Sequence, residues 1–348
     1  MTYKNGQLEI FNITAKEVDE IHENITKSYR LASKEVESQL AASYAKFLSG
    51  VDPDNYYSEM IKFQRLQKLQ KSIADTMGDA FKVSNSATLE GEKLAMSNAY
   101  YRNVYQYQWF SNMNFIPMDE QLLLLSATGN LNIWKDIQNK AIAKISAPLI
   151  NYIPQTGTLS ELLVKNNTET LEALRIAINN GFIQKKPFRE VAKDIDKVFY
   201  GPKGNGGVTY NALNIARTEG GRTLSLGYLQ STDQATAQGV EMEKEWDATL
   251  DNRTRQSHSV ADGQRVGVKE NFTVQGESLP APRVGGSPSN VINCRCTAIN
   301  IIDGVGPSIR RGRNPVTGEN EVFEFKDFNA WADEHGLKYN ASGRLVKK

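Results

Sequence analysis

Residues 246–266 read W-D-A-T-L-D-N-R-T-R-Q-S-H-S-V-A-D-G-Q-R-V, and residues 291–302 read V-I-N-C-R-C-T-A-I-N-I-I. These two stretches contain both cysteines and one of the three histidines in a chain of 348 residues. Residues that bind metals or carry out acid–base chemistry are therefore concentrated in a short part of the chain. We expect any specific chemistry to lie there.

The two cysteines and the histidine suggest a metal site. Apolar and β-branched residues dominate the second stretch, which predicts a strand with Cys294 and Cys296 on one face, about 7 Å apart at Cα. Two thiolates and His258 can chelate a structural zinc ion, with Asp262, Asp251 or water as the fourth ligand. Two alternatives stay open. The thiols could pack as apolar groups beside a hydrogen-bonded histidine, or they could form a strained disulfide.

The first stretch predicts a strand, a short helix and a second strand. Alternation over residues 240–247 predicts a half-buried strand whose acidic side chains form a solvated face. Asp251 is expected to cap the short helix, and Gly263 to follow its end. The residues on one side of that helix would be Asp251, Arg255, His258 and Asp262.

Residues 208–228 predict a helix with glycines and an arginine on its apolar stripe. A glycine inside a helix costs roughly 1 kcal/mol relative to alanine, so these glycines predict close approach of another backbone. Arg217 should be buried against an acceptor, and Glu219 should pair locally with Arg222 or Thr223. The expected structural polar network consists of Arg217, Glu219, Asp251 and Arg255.

The first two hundred residues have the three- and four-residue hydrophobic spacing of amphipathic helices. Gly50 and Pro53 should stop the first helix. The aromatic run at 100–110 favours a core or interface role over base stacking, because Arg102 is the cation close to it. The glycine-rich segment 201–207 predicts an exposed linker and a domain boundary. The predicted helices are 14–48, 56–81, 89–107, 131–153, 159–180 and 188–199.

Composition limits the classes of partner. Forty-one Lys and Arg against forty Asp and Glu leave a formal charge of +1, so the molecule as a whole is not a polyanion binder. The sequence has no apolar run of the roughly 20 residues that a membrane span needs, and its start lacks the apolar core of a signal peptide. We expect a protein made in a reducing cytoplasm, without a membrane partner.

Three features of the C-terminal part complete the analysis. The Pro-, Gly- and Ser-rich stretch 277–290 predicts a mobile surface loop. Arg310, Arg311 and Arg313 form a small basic patch in a linker, sufficient for weak phosphate contact. The aromatic tail over residues 322–331 is typical of a docking segment.

The sequence resembles the Mu-F-like head-morphogenesis domain of tailed bacteriophages. The resemblance rests on I-A-R-T-E-G-G-R, then K-E-W-D-A-T-L-D-N-R-T-R-Q-S-H-S-V-A-D-G-Q-R-V, then N-C-R-C-T-A-I, and it covers about residues 208–302. It implies a minor capsid protein in the virion, inside the capsid or at the portal vertex, and in the host cytoplasm during assembly. The implied partner is the portal protein; scaffold, major capsid protein and, weakly, phage DNA are further candidates.

The predicted fold class is α+β. A mainly helical, elongated N-terminal region (1–200) that engages portal or scaffold precedes a small α+β domain (208–302) with a mostly antiparallel sheet. A basic linker and aromatic tail (303–348) follow. No nucleophile with its base and no phosphate-binding loop is evident, so no catalytic residue and no certain cofactor is predicted. The alternatives are an enzyme, a transferase or hydrolase with Arg217, Glu219 and His258 around a pocket, and a DNA-binding packaging factor.

Overall fold

The computed structural model describes residues 3–111, 159–202 and 206–348. The predicted helix over 131–153 lies outside these residues. The fold is α+β, as predicted, with helices first and small antiparallel sheets after them. None of the described helices has an apolar stretch sufficient to span a bilayer.

Two compact units divide the described residues. The helical unit comprises 17–91 and 159–216, and the mixed unit comprises 3–16, 92–111 and 217–348. The boundaries at 16/17, 91/92 and 216/217 fall inside helices, so three of the long helices contribute residues to each unit. The domain limits at 200 and 302 stay predictions.

The helical unit is built from the predicted amphipathic helices. Helix α1 (Tyr3–Phe47) ends before Gly50, whose φ of +73° suits the turn that leads to a 3₁₀ segment starting at Pro53. Helices α4 (Leu159–Ile183) and α5 (Phe188–Tyr200) follow the predicted limits closely. The apolar stripes meet in one core that includes Tyr29, Leu40, Met77, Phe182 and Phe199.

The second and third predicted helices are wrong as separate elements. After the short α2 (Tyr56–Ile61), one helix, α3, runs without a break from Arg65 to Ser111. The hydrophobic spacing lapses between Phe81 and Leu89 because Ser84 and Thr88 take buried positions on the stripe. Thr88 donates its hydroxyl to the Ser84 carbonyl, which satisfies a polar group inside the core without ending the helix.

The mixed unit continues from helix α6 (Gly207–Ala237) into a three-stranded sheet. Its centre is β1 (Met242–Asp247), which pairs antiparallel with β2 (Arg265–Gly267) and β5 (Thr297–Ile302). Between β1 and β2 lies α7 (Gln256–Ala261); between β2 and β5 lie the hairpin β3 (Phe272–Val274) and β4 (Glu277–Leu279) and the short helix α8 (Pro288–Val291).

The predicted solvated acidic face of β1 is wrong at its centre. Glu245 is buried and ion-paired at 2.6 Å with Arg265 of β2. Lys244 is also buried, and its Nζ donates to the carbonyls of Glu270 and Pro280 at 2.7 and 3.0 Å. Lys244 and Glu245 are successive residues and point to opposite faces of the strand, so both faces are covered here, and each buried charge has a partner, as burial of a charge requires.

The last part of the chain is folded, which corrects the prediction of a linker and a docking tail. Two hairpins, β6 (Ile309–Arg313) with β7 (Asn320–Glu324) and β8 (Leu337–Tyr339) with β9 (Leu345–Lys347), flank α9 (Phe328–Glu334). The aromatic residues of the tail are the core of this part. That core consists of Leu250, Phe328, Trp331, Ala332 and Leu337.

Candidate metal centre

Three buried side chains from two segments converge beneath the sheet. His258 lies on α7, whereas Cys294 and Cys296 lie between α8 and β5. His258 Nδ1 is 3.3 Å from the Cys296 sulfur and 3.5 Å from the Cys294 sulfur, and the three atoms lie within 4.8 Å of one another. Both cysteines are free thiols, so the disulfide alternative is not realised here.

The spacing of these atoms fits tetrahedral zinc. Bonds of about 2.3 Å to sulfur and about 2.0 Å to nitrogen at tetrahedral angles place ligand nitrogen and sulfur about 3.5 Å apart. The two observed nitrogen–sulfur distances lie at that value. His258 Nδ1 faces both sulfurs, and Nε2 is buried without a hydrogen-bond partner among the described residues. The cluster can therefore hold a metal ion through Nδ1 and two sulfurs.

The cysteines do not lie on a strand, which corrects the prediction for 291–302. Helix α8 ends in a turn where Asn293 adopts a left-handed φ of +56°, and Cys294 N–H donates to the Val291 carbonyl at 3.1 Å. Arg295 points away from the sulfurs to an ion pair with Asp251. Because the chain bends here, both sulfurs face His258, and the ladder of β5 begins only after Cys296.

Burial and hydrogen bonding shift the pKa values of the two thiols in opposite directions. A hydrogen bond from Cys296, followed by one from His258 and the nearby charge of Arg283, holds the pKa of Cys294 well below its usual value. Burial, followed by the hydrogen bond to Cys294, raises the pKa of Cys296 well above it. The pair therefore holds one negative charge more readily than two, and a divalent cation would favour the second deprotonation.

Asp262, predicted as a fourth ligand, lies elsewhere. Its carboxylate pairs with Arg310 at 2.5 Å and accepts hydrogen bonds from the backbone N–H groups of Ala248 and Phe328. Arg310 also pairs with Asp247 at 2.6 Å and is only 4% exposed, so its guanidinium does not face solvent. Its assignment to a phosphate-binding patch is therefore not supported by its position.

Asp251 and Arg255 also have other partners than those expected. Asp251 caps the turn before α7, accepting from the N–H of Arg253 at 2.8 Å, while Arg255 is the residue that precedes the first turn of the helix. The Asp251 carboxylate pairs with Arg295, and Arg255 donates to the Ile292 carbonyl at 2.5 Å. The four residues expected on one helix face thus have four different sets of partners: Arg295, the Ile292 carbonyl, the two cysteines and Arg310.

On α6 the buried guanidinium belongs to Arg222 rather than to Arg217. Arg217 is half-buried and donates to the Asn293 side chain at 3.2 Å. Arg222 is buried and ion-paired with Glu219, and Thr223 donates to the Glu219 carbonyl, so the predicted local pairing of Glu219 is confirmed.

Arg283 is a buried residue beside the cluster that no sequence pattern predicted. The stretch predicted as a mobile loop instead folds against α6, with Ala281, Arg283 and Val284 buried. Arg283 donates to the Cys294 carbonyl at 3.0 Å and to the Ser225 hydroxyl at 3.4 Å. A lone arginine in a Pro- and Gly-rich segment carries no periodic signal, so no pattern in the sequence marks it as buried.

Comparison with known proteins identifies the region that contains this cluster. Residues 169–299 match the family model described as Phage Mu protein F like protein. This match begins within α4 and includes His258 and both cysteines.

Two relatives align over much of the chain. The chain is 33% identical over 213 residues to NAD(+)--arginine ADP-ribosyltransferase EFV of Enterococcus faecalis, a match that covers 58% of this chain and 42% of that protein. It is 26% identical over 318 residues to minor head protein GP7 of Bacillus phage SPP1, a match that covers 90% of this chain and 92% of that protein. The chain thus spans less than half of the first relative and nearly all of the second. No solved structure shows significant similarity to it.

Proposed function

We propose that this chain, a phage minor head protein whose residues 169–299 belong to the Mu protein F like family, binds at the portal vertex of the virion. There it would act in procapsid assembly, DNA packaging or genome delivery. The observation that carries the proposal is the end-to-end similarity to the SPP1 minor head protein, which extends over 92% of that protein. A match of that extent includes the helical unit as well as the family region.

The surface of the helical unit suggests that this unit binds the partner proteins. The helical unit offers long helices, and large apolar side chains such as Leu31, Phe63 and Ile176 remain exposed on it. Aromatic side chains are enriched in the cores of protein–protein interfaces, and Phe63 is 78% exposed. We therefore assign portal or scaffold binding to the helical unit. The major capsid protein remains a further candidate partner.

Co-expression with the portal protein of the same phage tests the proposal. The two proteins should sediment together in a gradient, whereas the chain expressed alone should stay near the top. A second experiment would supply the chain in trans during infection by a phage that lacks its gene and measure its copies in purified heads. Failure to associate with the portal protein and with heads would overturn the proposal.

A transferase is the second candidate function, because of the similarity to the Enterococcus protein. That protein is more than twice as long as the matched part, and here Glu219 pairs with Arg222 while His258 faces two thiols. Incubation with labelled NAD⁺ and an arginine-rich acceptor protein tests this candidate directly. Label on the acceptor would favour the enzyme, and an unlabelled acceptor would favour the head protein.

DNA binding is a weaker candidate. Arg311 and Arg313 remain partly exposed on β6, but Arg310 is engaged by two carboxylates. A protein that contacts phosphates loses affinity steeply as salt rises, by roughly one power of the salt concentration per phosphate. A titration with duplex DNA across salt concentrations should therefore give a slope near zero, whereas a slope of two or more would favour a packaging factor.

We also propose that His258, Cys294 and Cys296 hold a structural zinc ion. The buried donor set and the nitrogen–sulfur distances support it, and two thiolates with one imidazole suit zinc in a reducing compartment. Elemental analysis of protein purified without chelators should find about one zinc per chain, and less than half an equivalent would remove the proposal. The variant His258→Gln should lose the zinc, whereas His335→Gln, at a histidine outside the cluster, should keep it.

A further inference from the structure

We propose that Arg283 and Gly221 form an outer shell that positions Cys294 for metal binding, so that helix α6 sets the metal affinity of the cluster. This inference rests on the proposed zinc site. It assigns a role to two residues that belong neither to the ligand set nor to the predicted polar network.

Arg283 is held in place by contacts on several sides. Its side chain is 5% exposed, its NH1 donates to the Cys294 carbonyl at 3.0 Å, and its NH2 reaches the Ser225 hydroxyl on α6. The Arg283 carbonyl in turn accepts from Nε of Arg222 at 3.2 Å. The guanidinium therefore spans the distance between α6 and the main chain of a metal ligand.

The backbone at Arg283 is unusual. Its φ of +69° is left-handed, a conformation that is unfavourable for a non-glycine residue. Strain of this kind persists where the surrounding structure holds the residue firmly, and it concentrates at functional sites. With this backbone conformation, the Arg283 side chain lies against the cysteine segment and not in solvent.

The charge of Arg283 also has no carboxylate partner among the described ion pairs. Its charge interacts most strongly with the sulfurs of Cys294 and Cys296. A buried guanidinium needs compensation. The Cys294 carbonyl and the Ser225 hydroxyl, which accept hydrogen bonds from the guanidinium, provide part of that compensation.

Gly221 provides the space for this arrangement. A Cβ atom at position 221 would lie 2.7 Å from Nε of Arg283 and 2.8 Å from its Cδ and Cζ, which is closer than real side chains approach. The clashing atoms are in the middle of the Arg283 side chain, whose terminal nitrogens are held by hydrogen bonds, so the side chain cannot simply rotate away. A larger residue at 221 must therefore displace Arg283 and, through it, the carbonyl of Cys294.

The adjacent glycine offers a matched control. A Cβ at Gly220 would meet nothing within 4 Å. Both positions lie inside α6, so alanine at either one should raise helix propensity by a similar amount. A difference in metal affinity between the two variants thus reports on Arg283 and not on the helix.

The experiment measures zinc affinity by competition with a chromophoric chelator for wild type, Gly221→Ala, Gly220→Ala and Arg283→Lys. Loss of outer-shell partners typically lowers metal affinity about 10- to 100-fold. We expect this loss for Gly221→Ala, wild-type affinity for Gly220→Ala, and an intermediate loss for Arg283→Lys, which keeps the charge but not the planar fork. The visible spectrum of Co²⁺-loaded protein should change in the same two affected variants, and far-UV circular dichroism checks that each is folded.

A double variant tests whether Gly221 affects zinc affinity through Arg283. If Gly221 acts through Arg283, adding Gly221→Ala to Arg283→Ala should cost little further affinity, since the clashing side chain is gone. The inference would be overturned if Gly221→Ala bound zinc as tightly as wild type, or if Gly221→Ala and Gly220→Ala lost the same amount of zinc affinity. Either result would leave the zinc site itself intact. Absence of zinc from the wild type would instead remove the site itself.

Discussion

The side chain of Arg310 connects several segments of the mixed unit. Its guanidinium contacts the carboxylates of Asp247 and Asp262 and donates to the carbonyls of Ala248 and Lys326. Asp262 depends on it, because that carboxylate is itself buried. The residue therefore joins β6 to the turns on either side of α7, next to the cysteine and histidine cluster.

Replacing Arg310 by methionine should be strongly destabilising. The change keeps the volume but leaves Asp262 buried without its ion pair, a loss that typically costs about 3–5 kcal/mol. Urea unfolding followed by tryptophan fluorescence measures it. The neighbouring change Arg311→Met, at a partly exposed position, should alter the free energy of unfolding by less than about 0.5 kcal/mol. Similar small effects from both variants would contradict the role assigned to Arg310.

Glu92 predicts a pH dependence of stability in the same unit. Burial, followed by repulsion from Glu219, raises the pKa of Glu92 from 4.5 to about 7, and Arg222 offsets this only in part. The folded protein thus binds this proton more tightly than the unfolded chain. Stability should be greatest below about pH 4.5 as far as this group is concerned, and should decrease as the pH rises towards 7, by up to about 3 kcal/mol.

The variant Glu92→Gln should remove that dependence. It should be more stable than wild type at pH 8 by about 1–3 kcal/mol and similar to it near pH 4.5, because glutamine carries no charge at either pH. Denaturant unfolding at a series of pH values measures both. Glu90→Gln, at an exposed position two residues earlier, serves as the control and should follow the wild-type curve. A Glu92→Gln curve parallel to wild type would refute the prediction.

Among the elements, the turn between α2 and α3 exposes the largest apolar group of the helical unit. Phe63 and Gln64 both have left-handed φ values, of +53° and +56°, and Phe63 is 78% exposed. Arg65 lies 5.4 Å from the centre of the Phe63 ring and 4.5 Å from that of Phe47. A strained backbone that presents an aromatic ring to solvent is a candidate anchor for a partner.

The variant Phe63→Asp should therefore weaken co-sedimentation with the portal protein about tenfold or more, since truncation of an anchor residue typically costs more than 1 kcal/mol of binding. Val316 is exposed to a similar degree, at 80%, but lies on the loop between β6 and β7. Val316→Asp should leave portal binding unchanged. Loss of binding in Val316→Asp alone would place the interface on the mixed unit.

At the scale of the whole molecule, the two units should respond differently to metal removal. If zinc is bound, stripping it with a chelator should increase amide hydrogen exchange in α7 and in residues 291–302, which the ion would join. Amides of the helical unit, such as those of α4 and α5, should keep their protection because their core contains none of the ligands. Exchange that rises equally in both units, or in neither, would contradict this prediction.

The sequence by itself determined most of the helical part and pointed to the family that residues 169–299 match. Hydrophobic spacing of three to four residues is a local property, so it located α4 and α5 almost to their ends and the end of α1, although α1 begins at Tyr3 and not at residue 14. The motif blocks around His258 and Cys294 pointed to the family that the comparison identifies. Cys, Cys and His are also rare enough that their clustering could be noticed without knowing the fold.

The pairing of charged groups that are distant in the sequence was decided by the tertiary structure alone, whereas the local pair of Glu219 and Arg222 was predicted. Arg310 and the aromatic tail looked like surface features, yet one is buried against two carboxylates and the other forms a core. Arg283 gave no signal at all. Hydrophobic periodicity shows which face of a helix or strand is buried. It does not show the partner of a single buried charge, which here lies tens of residues away along the chain. Only the packing of distant segments brings the two together.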